Sequence, residues 1–289
     1  CFEFHSKMNT IGGDAVALIT STLAERDTEF DAYIVSNGAE NFSVGADLLY
    51  LLALIQSEEW DEVAEAVRRF QEMNQAIKRS PRPVVVAPFG LTLGGGCEML
   101  LHGARAVAHA ELYAGLVEVG VGLIPAGGGT TQMALRCDPR SAFEAIALAR
   151  VSTSAAEARQ QHFLRRGDLV VANRDRVLGA AKREALQLAS SGYAPPTPQR
   201  LRAPGPSVAS TLQLGAYLMR EADRISDHDL KIAEKLIHVV CGGGAPQGAE
   251  IGEEEMLDLE REAFLSLCGE IKTQERIGTM LQTGKALRN

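Results

Sequence analysis

Two glycine-rich segments, each close to one glutamate, constrain this chain more than any other feature. The first reads Leu93-Gly94-Gly95-Gly96-Cys97-Glu98. The second begins at Gly115-Leu116-Val117-Glu118 and continues to Ile124-Pro125-Ala126-Gly127-Gly128-Gly129. Runs of glycine let the backbone turn tightly and lie close to a neighbour, and they leave N–H groups uncovered. A carboxyl group beside such backbone can move protons while the N–H groups hold a developing oxyanion. The same glycines also read as tight loops or as sites of close helix packing.

The chain has 289 residues, 46% hydrophobic and 23% charged, which is ordinary for a globular protein with one large domain or two small ones. A net charge of −8 argues against broad nucleic-acid or membrane-surface binding. It leaves room for an anionic ligand held by local cations or a helix N-terminus. Five widely spaced cysteines, with no CxxC among them, read as reduced thiols in a cytoplasmic protein. No apolar run approaches the roughly 18 residues of a membrane span. The first residue is Cys1, and Cys1 to His5 alternates like a strand already under way, so the sequence reads as a fragment of a longer chain or a processed product.

Strands alternate with helices, which predicts an α/β fold. Helices are expected over Asp14–Ala24 and about Asp61–Ile77. Val63, Val67, Phe70, Met73 and Ile77 mark the buried face of the second. Pro81 and Pro83 end it. Strands are expected at 32–36, 84–87, 106–108 and 169–171. Gly90 reads as the start of a loop into the first glycine cluster, with helix resuming over 96–101 and again from Thr130. Five of the eleven prolines fall in residues 192–207, which read as a linker or strap between a core at 1–191 and a carboxyl-terminal region at 208–289. That last region reads as helices only. Ser226 with Asp229 resembles a capping box, and Gly242-Gly243-Gly244 ends the same helix.

Phe42-Ser43-Val44-Gly45-Ala46-Asp47-Leu48, Pro83 to Leu100 and Glu118 to Thr130 resemble, in order and spacing, the three signatures of the crotonase (enoyl-CoA hydratase/isomerase) superfamily. The tail from Leu257 to Phe264, with Lys272–Ile277 and Gly284–Asn289, is not general to crotonases. It resembles the end of bacterial fused 3-hydroxyacyl-CoA dehydrogenases that carry this module last. The resemblance implies a spiral of ββα turns with a helical extension, assembled as trimers or hexamers. It also implies dehydrogenase domains elsewhere in the parent chain. NAD is expected only for those absent domains, since Gly120-Val121-Gly122 meets Pro125 where a dinucleotide fingerprint needs glycine.

By the same correspondence Glu98 and Glu118 match the two hydratase glutamates. The backbone N–H groups of Ala46 and Gly95 match the oxyanion hole. Gly45, Gly94 and Ala126 line the acyl thioester, and Lys7 lies in the segment that meets CoA. Glu118 is assigned the proton for C2 and Glu98 the activation of water, although sequence alone leaves the two roles interchangeable. Asp47 reads as a cap. Cys97 reads as a buried thiol, and His102 as a packing residue. Lys272, Arg276, Lys285 and Arg288 read as a basic tail, either balancing the acidic helix beside it or reaching a CoA phosphate, and the first is favoured. No metal or redox cofactor is expected for this part. The expected activity is hydration of a 2-enoyl-CoA in β-oxidation. The alternatives are an enoyl-CoA isomerase, which needs one glutamate, and a noncatalytic acyl-CoA-binding or scaffold module.

Overall fold

The computed structural model describes every residue except Asp27. Helix α1 (Gly13–Glu25) leads to strand β1 (Tyr33–Val35) and helices α2 (Leu48–Gln56) and α3 (Trp60–Arg79). Next come β2 (Val84–Val86), β3 (Gly90–Leu93), α4 (Gly95–His102), β4 (Arg105–His109) and β5 (Leu112–Gly115). A 3-10 turn (Glu118–Val121) precedes α5 (Gly129–Arg136), α6 (Pro139–Ala147) and α7 (Ala155–Gln160). After β6 (Leu169–Val171) and α8 (Val177–Ser190) the chain forms β7 (Arg200–Arg202), α9 (Pro206–Glu221) and α10 (Asp227–Val240). It closes with β8 (Glu250–Gly252), α11 (Glu253–Cys268) and α12 (Ile271–Thr283).

These elements form two compact units. One gathers Cys1–Asp47, Arg69–Leu116 and Val151–Thr197, and the other gathers Leu48–Arg68, Val117–Arg150 and Pro198–Asn289. In the first unit, β1, β2, β4 and β6 form one parallel sheet in that order, and β3 pairs with β5 in a second parallel sheet. Each β2–β3 or β4–β5 step therefore contributes one strand to each sheet, which is the ββα spiral implied by the resemblance. Parallel strands covered on both faces read as unbroken apolar runs, and Val84, Val85 and Val86 are all fully buried. One face of the larger sheet, with Ile34, Val85, Val107 and Val171, packs on Val177, Ala181 and Ala185 of α8. Alternation along the strands sends Val84, Val86, Ala106 and Ala108 to the other face, where they too are buried.

In the second unit α10 is the central helix and packs on α5, α6, α9 and α11. Its buried residues Ile232, Leu236, Ile237 and Val240 follow the helical period. Each fully buried side chain of this kind stabilises the unit by about 1.5–3 kcal/mol. Ser226 and Asp229 close the expected capping box at its start.

Two expectations change. Gly90 opens strand β3, not a loop: its backbone has a φ of +53°, and residues 90–93 pair in register with Leu112–Gly115. The carboxyl-terminal region is not helices alone, because β8 pairs antiparallel with β7. Residues 192–207 accordingly contain a strand and the first two residues of α9. Pro206 occupies the helix start, where its missing N–H costs nothing.

Candidate active site

In the first unit the segment 42–46 runs beside β3. Ser43 bridges to Thr92, the Ser43 N–H donates to Leu91 O, and the Leu93 N–H donates to Ser43 O. The chain then turns through Gly94, at φ +53° and ψ −125°, and enters α4. Gly45, at φ +107°, lies so close that a Cβ there would stand 3.3 Å from Gly95 N. A Cβ on Gly95 would stand 3.4 Å from Ala46 N and 2.8 Å from Phe70 Cζ. The glycines at 45 and 95 thus let two backbone amides share one small space. Gly95 is the first residue of α4, so its N–H has no intrahelical partner. Among the described residues, neither the Ala46 nor the Gly95 amide donates to the backbone bonds that build the surrounding loops.

Glu98 follows on the first turn of α4 and is buried, with its N–H donating to Gly94 O at 2.9 Å. One turn later the His102 ring donates from Nδ1 to the Glu98 carbonyl at 2.7 Å, and the helix ends at Gly103. Cys97 and His102 are both buried, as packing residues should be. The first unit therefore brings together Gly45, Ala46, Gly94, Gly95 and Glu98 of the expected set.

Glu118 and Ala126 belong to the second unit. Glu118 is half-buried at the start of the 3-10 turn, which Gly122 closes with a φ of +86°. The Leu123 N–H donates to Glu118 O at 3.1 Å. Ala126 is buried in the loop that follows. That loop is anchored at its far end by Glu260 of α11. The Glu260 carboxylate, fully buried, accepts from Gly128 N at 2.9 Å and also from Thr131 N, so it caps α5. Nothing in the sequence marked Glu260, because its partners lie more than a hundred residues away.

The tail reading needs correction at one position. Read above as one of four residues of a basic tail, Arg276 is one of the largest fully buried side chains. It pairs with Asp229 at 2.7 Å and donates to Ser226 Oγ and Asn289 Oδ1 at 3.2 and 2.8 Å. Its counter-ion is on α10, not on the acidic helix α11. Burial raises the Asp229 carboxyl, but hydrogen bonds from the Ser226 backbone and from Arg276 outweigh this and hold it below the ordinary carboxylate range.

Lys7 is exposed in a 3-10 turn (Lys7–Asn9) of the first unit. Its neighbours Met8 and Asn9 take φ values of +58° and +53°, conformations that side chains adopt only when the surroundings impose them. The Asn9 side chain supplies part of that constraint by donating to Asn41 O at 2.8 Å. Ser43 Oγ supplies another part by donating to Asn9 O at 2.7 Å. A cleft of about 350 Å³ opens here, lined by His5, Ser6, Met8, Asn9, Ala39, Glu40 and Asn41. Arg174, which the sequence reading did not single out, donates to the Ala39 carbonyl at 2.9 Å and lies over the Phe89 ring.

The family model "Enoyl-CoA hydratase/isomerase" matches residues 3–162. Among curated relatives, the Bacillus subtilis (strain 168) protein named "Probable 3-hydroxyacyl-CoA dehydrogenase" is 46% identical over 99% of this chain and 38% of its own length. The fatty acid oxidation complex subunit alpha of Idiomarina loihiensis is 36% identical over 43% of this chain and 17% of its own length. The chain thus spans well under half the length of these relatives. Among solved structures, a carnitinyl-CoA dehydratase from Mycobacterium thermoresistibile superposes with a TM-score of 0.70 at 19% identity. That superposition covers 98% of this chain and 86% of the other, and at such identity it speaks for the fold alone.

Proposed function

The chain belongs to the enoyl-CoA hydratase/isomerase (crotonase) family, and from that premise we propose that it adds water to a 2-enoyl-CoA thioester, as the hydratase module of a larger 3-hydroxyacyl-CoA dehydrogenase of fatty-acid β-oxidation. The observation that carries the reading is the approach of the Ala46 and Gly95 amides beside buried Glu98. In the reaction a water oxygen attacks C3 and gives its proton to one carboxylate, Glu98. Electrons of the C2=C3 bond move onto the thioester oxygen, where the Ala46 and Gly95 N–H groups meet the developing charge. Glu118, as the acid, then delivers a proton to C2 and the carbonyl re-forms. Both pieces of water add from the same face. Fixed donors of this kind are worth about 10²–10³ in turnover each, and each proton transfer about 10²–10⁴.

Lys7 and the adjoining cleft are assigned to the CoA moiety, and Gly45, Gly94 and Ala126 to the acyl thioester. No metal or redox cofactor enters these steps. The dehydrogenase half of the parent, its NAD, and a trimeric or hexameric assembly in the cytoplasm belong to the same proposal. Two glutamates favour hydration over isomerisation, which needs one. The test offers the chain a 2-enoyl-CoA and a 3-enoyl-CoA of equal length, reads hydration from the product mass and reads isomerisation, which leaves the mass unchanged, from the appearance of conjugated-thioester absorbance. A product heavier by one water supports the hydratase. A 2-enoyl product from the 3-enoyl substrate, with no hydration, transfers the assignment to an isomerase.

A further inference from the structure

We infer that Thr273 and Arg276 of α12 are positioning residues for Glu118. The inference rests on the reading that Glu118 supplies the C2 proton. Glu118 stands on a single 3-10 turn, which is too short to hold itself by repeated internal bonds. Its carbonyls at Val119 and Gly122 face the last helix. Thr273 Oγ1 donates to Gly122 O at 2.9 Å, and Arg276 Nη1 reaches Val119 O at a longer 3.4 Å. Thr273 is fully buried and Arg276 nearly so, so water cannot substitute for either donor.

The direction of each bond is fixed by its neighbours. His228 Nε2 lies 2.9 Å from Thr273 Oγ1. A hydroxyl has one proton, so Thr273 spends it on Gly122 O and accepts from the His228 ring. Arg276 is held on its other sides by Asp229, Ser226 and Asn289. The guanidinium therefore ties the capped start of α10 to the turn that carries Glu118. The contact also leaves no slack. A Cβ on Gly122 would stand 2.9 Å from Thr273 Cα, so the turn and α12 meet backbone to backbone. The only side chain that fits at residue 122 is none, and the φ of +86° demands the same. A carboxyl group displaced by about 1 Å can lose on the order of 10²-fold in rate, so a latch on its turn governs turnover without touching substrate.

The experiment uses the 289-residue chain with Thr273→Val, which keeps the shape and removes the hydroxyl, and Thr273→Ser, which restores it. Turnover of a short 2-enoyl-CoA and amide hydrogen exchange across Gly120–Leu123 are read together. The expected result is a kcat roughly tenfold lower for Thr273→Val with KM within about twofold, as removal of a transition-state-only effect requires. Faster exchange in the turn and recovery of both readouts by Thr273→Ser complete it. In a Glu118→Gln background the Val substitution should cost nothing more, because the two act as one unit. Unchanged exchange in the turn, or faster exchange with wild-type kcat, overturns the inference. If Glu118→Gln alone leaves turnover intact, the proposed role of Glu118 fails first, and the positioning role fails with it. That outcome is recognised because it appears without any change at Thr273.

Discussion

Glu98 rides on α4, where its N–H donates to Gly94 O and the His102 ring one turn above donates to its carbonyl, while the adjoining Gly95 lies close to Ala46 across a gap that glycine alone permits. Glu118 rides on a four-residue turn whose outer bonds come from Thr273 and Arg276, more than 150 residues onward. The loop after it is held the same way by Glu260. One carboxyl group is thus placed by local backbone geometry and the other by a remote helical tail. Three buried polar groups of the tail, Thr273, Arg276 and Glu260, bond in this way to segments that have little regular structure of their own.

Four expected outcomes would break or sharpen this contrast. The largest effect should come from the local side. Gly95→Ala forces a methyl against Phe70 Cζ and toward the Ala46 amide. Turnover should drop on the order of 10²–10³, the worth of one oxyanion donor, while the melting temperature moves little. Steady-state kinetics with a circular-dichroism melt checks both. Next is Arg276→Met, which removes the counter-ion of the half-buried Asp229. Losing the charged hydrogen bonds at this partly exposed pair costs about 1.5–3 kcal/mol, read as a lower denaturant midpoint. Glu260→Ala comes third. It leaves the Gly128 and Thr131 amides unpaired, at about 1–3 kcal/mol for a buried donor, and protease should then cut first within 124–131.

The smallest effect concerns pH. Burial, and then the nearby charge of Arg276, push the buried His228 below its ordinary value of 6.5, with Lys272 in the same direction and Glu270 and Asp229 opposing. On acidification the unfolded chain binds a proton that the folded chain refuses. Stability is therefore full above about pH 6.5 and falls as pH drops toward the folded value, after which this contribution is flat. Urea melts across that window should show the slope, and His228→Gln should remove it. A slope that survives the substitution assigns it to other groups.

Much of the local side was legible in the sequence. Val84–Val86 reads as a buried strand, Val63 to Ile77 as a helix face, and the glycines beside Glu98 as close backbone. Strands β3 and β5 escaped because each has four residues with glycine at one end, which breaks the pattern of a strand. Helix α2 escaped because Leu48 to Ile55 is apolar nearly all round and shows no face. Helix α6 was missed although its start carries a signal, Asp138 before Pro139: Asp138 caps it by accepting from Arg140 N and Ser141 N. The remote side was illegible for a physical reason. Arg276 and Glu260 look like surface charges until folding buries them against partners that no spacing rule connects.

The most direct test of the central claim is the loss of conjugated-thioester absorbance with a short 2-enoyl-CoA, comparing the chain with its Glu98→Gln/Glu118→Gln double variant. Absorbance lost with the chain and retained with the folded double variant is the predicted result. Equal loss with both contradicts the assignment of the two glutamates to the chemistry.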